Sequence, residues 1–464
     1  MKETQIIIIV FLILGIFAVY FFSQSTLFQE ENVEINNEVP LLQPIKDDVS
    51  ESNVGPNQSY LRNSTQIIPN IEKDPEAEPN VINENINQVN AEKPPDVEIM
   101  SEVFTCSKSN FVPQINDYII YDIIGLEKLS VIFSETYENE VNVTLTITNI
   151  NSTWFIADLE SRAIISGPDD GITGSVPLFW LPVHYKIGDT VTNLGDIELK
   201  ISDEDSMLFD GKKIDTIIVT GMSTLENQNN KTESLVKSYY EKNTGILLQI
   251  TEESTTYKNN EIVDQQIINI ITVIETNIEF NKYSIELIQR EVNTRKGSFV
   301  IYEHDNFDWK FQISEIMGNS ANITESRRFP GADWELIRWR VVDLGCLIIK
   351  DASTTSFDNN FQRSSNIIGK SYEFIIRNNV LIGNYIFPAY EEIGLGPEIF
   401  VFKIIGFTEF EQNGDIINAI VAESIGEGGI VRRYFDQTTG ILLLEEFEYE
   451  GTVRQIIRLK EISA

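Results

Sequence analysis

From about residue 110 onward, the chain is built of short runs of β-branched and aromatic residues separated by turn residues. The stretches at 118–121, 141–147 (VNVTLTI) and 214–220 (IDTIIVT) alternate, or nearly alternate, between apolar and polar positions. That period of two is the signature of a strand with one buried face. No long stretch beyond residue 110 sustains the 3.6-residue apolar period of a helix. Residues 284–292 suit a short helix or a strand, and WELIRWRVV at 334–342 is ambiguous in the same way, with strand the favoured reading. The pattern predicts a mainly β fold, or α+β at most. We expect two tandem curved antiparallel sheet domains at 106–295 and 296–464.

The N-terminus differs. An uncharged apolar run from Ile6 to Phe22 follows Lys2 and Glu3. At about 1.5 Å per residue it just spans a thin hydrocarbon layer. The following residues match an A-x-A-like cleavage pattern poorly, so residues 1–23 read as an uncleaved signal anchor rather than a removed signal. Lys2 on the N-terminal side and acids after the run place the bulk of the chain outside the cytoplasm. Residues 24–105 carry 16 acids, 4 bases and 8 of the 15 prolines. Such a segment has too little apolar surface to offset the entropy of ordering it, and its like charges keep it extended. We expect a disordered acidic stalk there.

One ten-residue segment occurs twice. YYEKNTGILL (239–248) returns as YFDQTTGILL (434–443), 195 residues later. It reads as a hairpin whose turn, Thr244-Gly245 or Thr439-Gly440, needs glycine in a left-handed conformation. DYIIYD (117–122) and SFVIYE (298–303) match more loosely, as do TIIV (216–219) and NAIV (418–421), in the same order. This predicts an internal duplication. The motif, together with FWLPVHYKIGD (179–189), resembles uncharacterised secreted or surface-anchored archaeal proteins with β-rich repeats and an N-terminal hydrophobic segment. The resemblance covers both halves of the head and implies location and architecture, with no assigned activity. In the second half, NYIFP (384–388) is expected to take the place of the aromatic–proline segment, with no Gly-Asp after it.

Candidate chemistry is sparse. The formal net charge of −36 repels nucleic acid and anionic lipid headgroups, so no nucleic-acid partner is expected. The only histidines are His184, read as leading into a strand, and His304, read as a loop residue. Neither sits in a recognisable nucleophile–base or metal motif, and no cofactor is expected. Asp203-Glu204-Asp205 and Asp210-Gly211 read as solvated acidic turns, and Gly426–Gly429 as a hairpin loop. Cys106 and Cys346 are either a disulfide or two separate thiols. Six sequons, at Asn57, Asn63, Asn142, Asn151, Asn230 and Asn322, suit an extracellular glycoprotein. Trp154, Trp180, Trp309 and Trp334 are expected in cores. The function expected is a non-catalytic, membrane-anchored surface protein. Its head would bind a protein, glycan or lipid partner. The alternatives are a lipid or small-molecule carrier with a cavity in each sheet, and a hydrolase using paired carboxylates.

Overall fold

A computed structural model describes residues 102–463, except 126, 150, 169–172, 195–196, 228–229, 260, 293–294, 356–360, 364–366, 378, 392–396, 413 and 427. The anchor, the first part of the stalk (24–101) and sequons Asn57 and Asn63 lie outside the described residues. Almost all regular structure is antiparallel strand, numbered β1 to β27 in chain order. Among the described residues no helix is long and apolar enough to cross a membrane.

The first large sheet uses eleven strands. They are β2 (Asp117–Ile123), β3 (Leu129–Tyr137), β4 (Glu140–Ile147), β5 (Asn151–Asp158), β6 (Ile164–Ser166), β7 (Thr190–Leu194), β8 (Ile197–Phe209), β9 (Lys212–Asn227), β10 (Asn230–Glu241), β11 (Leu247–Lys258) and β12 (Glu261–Thr276). Their spatial order is 6-5-4-3-2-12-11-10-9-8-7. The last strand, β12, returns to pair with the first, β2. The sheet therefore joins two meanders and does not close into a barrel.

The second sheet repeats that plan. It contains β14 (Phe299–His304), β15 (Phe307–Met317), β16 (Ser320–Arg328), β17 (Glu335–Asp343), β18 (Ile348–Thr355), β19 (Phe361–Arg363), β20 (Tyr385–Ile386), β23 (Phe402–Gln412), β24 (Asp415–Gly426), β25 (Gly429–Asp436), β26 (Leu442–Tyr449) and β27 (Thr452–Ser463). The order is 19-18-17-16-15-14-27-26-25-24-23-20, with β27 returning to β14. A small ribbon, β21 (Ala389–Glu391) with β22 (Pro397–Ile399), lies apart.

Alternation along the strands makes the cores. In β4, Val141, Val143, Leu145 and Ile147 are buried while Asn142, Thr144 and Thr146 point the other way. Phe133, Phe155 and Trp180 fill the first core, and Tyr302, Phe402 and Phe435 the second. Fully burying each such side chain stabilises by roughly 1.5–3 kcal/mol.

Each half is preceded by one further strand, β1 (Glu102–Ser109) and β13 (Ile285–Val292), and these two pair with each other. The segment that suited either helix or strand is thus strand, because β1 supplies its partner. The expected stalk boundary also moves, since Glu102 to Thr105 belong to β1. Phe104 is buried in the second core, and Asn319 brackets Thr105 through both its N–H and its C=O, at 2.9 Å each. Both large sheets lie in one compact unit.

Candidate functional site at the seam between the halves

The repeated turn anchors each half. Thr244 donates its N–H and its hydroxyl to Glu241 Oε2, both at 2.6 Å, and the Thr439 hydroxyl donates to Asp436 Oδ2 at 2.8 Å. Gly245 and Gly440 have φ of 76° and 75°. A second demand falls on these glycines. The Leu181 N–H donates to Gly245 O at 2.8 Å and the Ile376 N–H to Gly440 O at 2.9 Å. A Cβ at either glycine would collide with the carbonyl oxygen of Leu181 or Ile376.

These bonds align Phe179–Asp189 with Phe374–Asn384, not with 384–388 as the aromatic–proline spacing suggests. The ends agree as well. The Gly188 N–H donates to Ile201 O and the Gly383 N–H to Ile404 O, both at 2.8 Å. Asp189 and Asn384 then accept the N–H three residues earlier, at Lys186 and Leu381. The expected lack of a Gly-Asp counterpart is therefore corrected, because Gly383-Asn384 fills that role. Phe179 and Phe374 enter their cores and Ile187 and Ile382 are exposed at matching positions, while the side chains at 182–186 and 377–381 differ.

Those side chains build the seam. Arg377, next to Ile376, pairs with Glu160 just after β5, and Lys108 of β1 lies 3.5 Å from the same carboxylate. Burial disfavours the Glu160 carboxylate, but Arg377 and Lys108 outweigh it and its pKa is lowered. Lys350 pairs with Asp189. Lys370 donates to Gly174 O at 2.7 Å, and burial pushes its pKa down to about 8. The Tyr385 hydroxyl donates to Glu140 at 2.7 Å. A disulfide joins Cys106 to Cys346 across the same region, with Cα atoms 4.9 Å apart.

A cavity of about 80 Å³ is lined here by Asp158, Glu160, His184, Tyr372 and Arg377, among others. With these polar side chains in its wall, it is large enough to hold water. Asp158 Oδ2 accepts the N–H groups of Glu160 and Ser161, at 3.2 and 2.7 Å, and the Ser161 hydroxyl at 2.7 Å. Burial raises its pKa, and the bonds from Ser161 oppose the rise. His184 lies in a turn rather than leading into a strand. Burial first, then Lys350 and Arg377, push its pKa down to about 3, so its ring is neutral. The two carboxylates are engaged in a turn and an ion pair. Chemically, the arrangement holds the halves together.

The second core contains something the alternation pattern did not flag. Glu325, Arg338, Arg340 and Glu373 are all buried. Arg338 pairs with Glu325 and, at 3.0 Å, with Glu373, while Arg340 lies 3.2 Å from Glu325 and 3.1 Å from Glu373. Trp309 and Tyr372 face the two guanidiniums at 5.2 and 5.8 Å. The aligned positions in the first half are Leu145, Thr153, Phe155 and Leu178. The signal was present in β16, where Ala321 and Ile323 point inward and Glu325 follows at the next inward position.

The remaining candidates are dispersed. His304 ends β14, not a loop, and stacks on Phe307 with ring centroids 4.6 Å apart. Asp203-Glu204-Asp205 is an exposed part of β8, so the expectation of a turn there is corrected, and Asp210-Gly211 turns between β8 and β9. Gly426 pairs with Gly429 across the β24–β25 hairpin. Trp180 and Trp309 are core residues, but Trp154 is 44% exposed and Trp334 is half-buried beneath Arg328. Asn142 and Asn322 occupy matching strand positions, each with a buried, unbonded Oδ1. Asn151 opens β5, and Asn230 is exposed where β10 begins. Among the described residues, no group of three or more His, Cys, Asp or Glu side chains is placed to hold a metal ion. Compared with protein-family models, curated proteins and solved structures, the chain matches none.

Proposed function

We propose that this is a membrane-anchored surface protein whose head, two duplicated curved sheet domains, binds an extracytoplasmic partner without catalysis. The observation that carries the reading is the disulfide joining residues 240 apart. Such a bond persists in an oxidising compartment. The same seam carries the ion pairs Arg377–Glu160 and Lys350–Asp189, which join the two sheets. The apolar start and acidic stalk supply the anchor and the reach. The test is protease treatment of intact host cells expressing the full chain. Cleavage of the head without lysis, with the remaining fragment in the membrane fraction, is the expected result. A head protected until lysis would overturn the reading.

One observation favours a carrier as the second reading. In the first half, the β8–β9 tip leaves a groove of about 570 Å³ between Met207–Asp210 and strands β11 and β12. In the second half, the matching tip is fastened by Gln412, whose Nε2–H donates to Leu459 O at 2.7 Å. Native mass spectrometry of protein from its own host separates the readings, since bound lipid lost on denaturation supports the carrier.

A further inference from the structure

The outward face of β2–β5 is unusual for so acidic a chain. Pairing places Tyr118, Ile132, Thr144 and Trp154 in one row across the four strands. The next row is Ile120, Ser130, Thr146 and Ser152. Neither row contains a charge, although Glu275 of β12 pairs with Ile120 and accepts the Tyr118 hydroxyl at 2.8 Å, and exposed Asp122 follows Ile120 on the same face. Trp154 is 44% exposed, and the Thr146 and Ser152 hydroxyls lie 2.9 Å apart. In the second half, the first row recurs as Phe299, Gln312, Thr324 and Trp339. An aromatic thus stands at each end and a threonine beside the tryptophan in both copies. There the second row carries Lys310, which lies 4.6 Å over the Phe299 ring.

We propose that the outward face of β2–β5 is a binding platform for a neutral polysaccharide. Three arguments fix the class. Strands spaced at about 4.8 Å make the row about 14 Å long, with the second row about 7 Å away. That patch is far below the roughly 800 Å² per partner of a stable protein interface. The two rows carry no charge to pair with an ionic ligand, and the carboxylates at their edge, Glu275 and Asp122, disfavour an anionic one. Hydroxyls interleaved with an exposed indole suit a ligand with a C–H face and a hydroxylated edge, which is the chemistry of a sugar ring. The indole stacks on the ring face. Thr144, Thr146 and Ser152 exchange hydrogen bonds with its edge. The platform in the first half is the primary site, because Lys310 interrupts the second.

This inference rests on the surface-protein reading and names the class of partner. Its test is electrophoresis of the full chain, in mild non-ionic detergent, through native gels. These contain soluble β-glucan, soluble starch, galactomannan or glycol chitin. At least one polysaccharide is expected to slow migration two-fold or more. Trp154→Ala with Trp339→Ala should restore normal mobility, and Trp154→Phe should retain most of the retardation. Matching near-ultraviolet circular dichroism outside the tryptophan bands guards against misfolding. Normal mobility in all four gels overturns the proposal, as does retardation that survives the double alanine variant. A glycan on Asn142, seen as added mass lost in Thr144→Val, would also overturn it, because the chain's own sugar would then cover the face. Failure in the gels with the head accessible on intact cells sinks the platform alone. A head protected on intact cells sinks both readings.

Discussion

Gly245 and Gly440 face two separate constraints, and one substitution separates them. Gly211 shares the left-handed backbone, at φ 72°, but a Cβ there would meet open space. Gly211→Ala should therefore cost only about 1 kcal/mol, the left-handed penalty. Gly245→Ala adds a collision with the Leu181 carbonyl and should cost several kcal/mol. Urea unfolding midpoints of the two variants decide this, and equal shifts would remove the close-approach argument. His184 offers a second residue-scale test. Its folded pKa, about 3, lies below the ordinary 6.5. The unfolded chain thus binds the extra proton first. The neutral ring's contribution is complete above about pH 6.5 and is lost as pH falls toward 3. His184→Asn, the residue at the aligned position 379, should flatten the stability profile across that window. An unchanged slope would show that the proton is taken up elsewhere.

At the scale of strands, much was legible because period two is a local signal. The strands at 118–121, 141–147 and 214–220 follow from alternation, and the ambiguous segment 334–342 is β17 (Glu335–Asp343). The pairing of β1 with β13 was not legible. It joins segments about 180 residues apart, and β13 alternates too weakly to choose between helix and strand. The aligned segment 374–384 is harder to see, since it shares with 179–189 only Phe179/Phe374, Leu181/Ile376 and the closing Ile-Gly-[Asp/Asn], at the same 195-residue offset as the repeated turn. Trp154 is outward because it alternates with buried Phe155, a local signal that outranks the general preference of tryptophan for cores. The buried quartet shows the same logic with charge. Arg340→Ala should destabilise by about 3–5 kcal/mol, leaving two buried carboxylates to share Arg338 and one negative charge uncompensated. Replacing all four by the residues of the first half (Glu325→Leu, Arg338→Thr, Arg340→Phe, Glu373→Leu) should be far milder, and neutral or stabilising if the side chains repack. Thermal unfolding of both variants gives the comparison. A quadruple variant less stable than Arg340→Ala would mean that the network shapes the second core and is not replaceable by apolar packing.

For the whole molecule, the disulfide decides how the two halves respond as a unit. In each half the last strand returns to pair with the first, β12 with β2 and β27 with β14, and each half carries its own core. Among the described residues they are joined by the β1–β13 ribbon, the seam ion pairs, hydrogen bonds such as Lys370 to Gly174 O and Tyr385 to Glu140, and Cys106–Cys346. The bond closes a separation of 240 residues, which in a loop-entropy treatment constrains the unfolded chain by roughly 5 kcal/mol. Reduction should therefore lower the unfolding temperature. It should also loosen Phe104 from the second core, because β1 is then held there by Asn319 and by its partner strand β13, whose Arg290 donates to Ile376 O and Thr439 O. Calorimetry with and without reductant should show a single transition giving way to a lower and broader one. Cys106→Ser with Cys346→Ser should reproduce that change without reductant. Raising the salt concentration should lower the midpoint further in the reduced protein than in the oxidised one, since Arg377–Glu160 and Lys350–Asp189 then hold the seam without a covalent backstop. Identical midpoints in both redox states would mean that the ribbon and ion pairs alone fix the halves, and that the covalent bond adds nothing to the rigidity of the head.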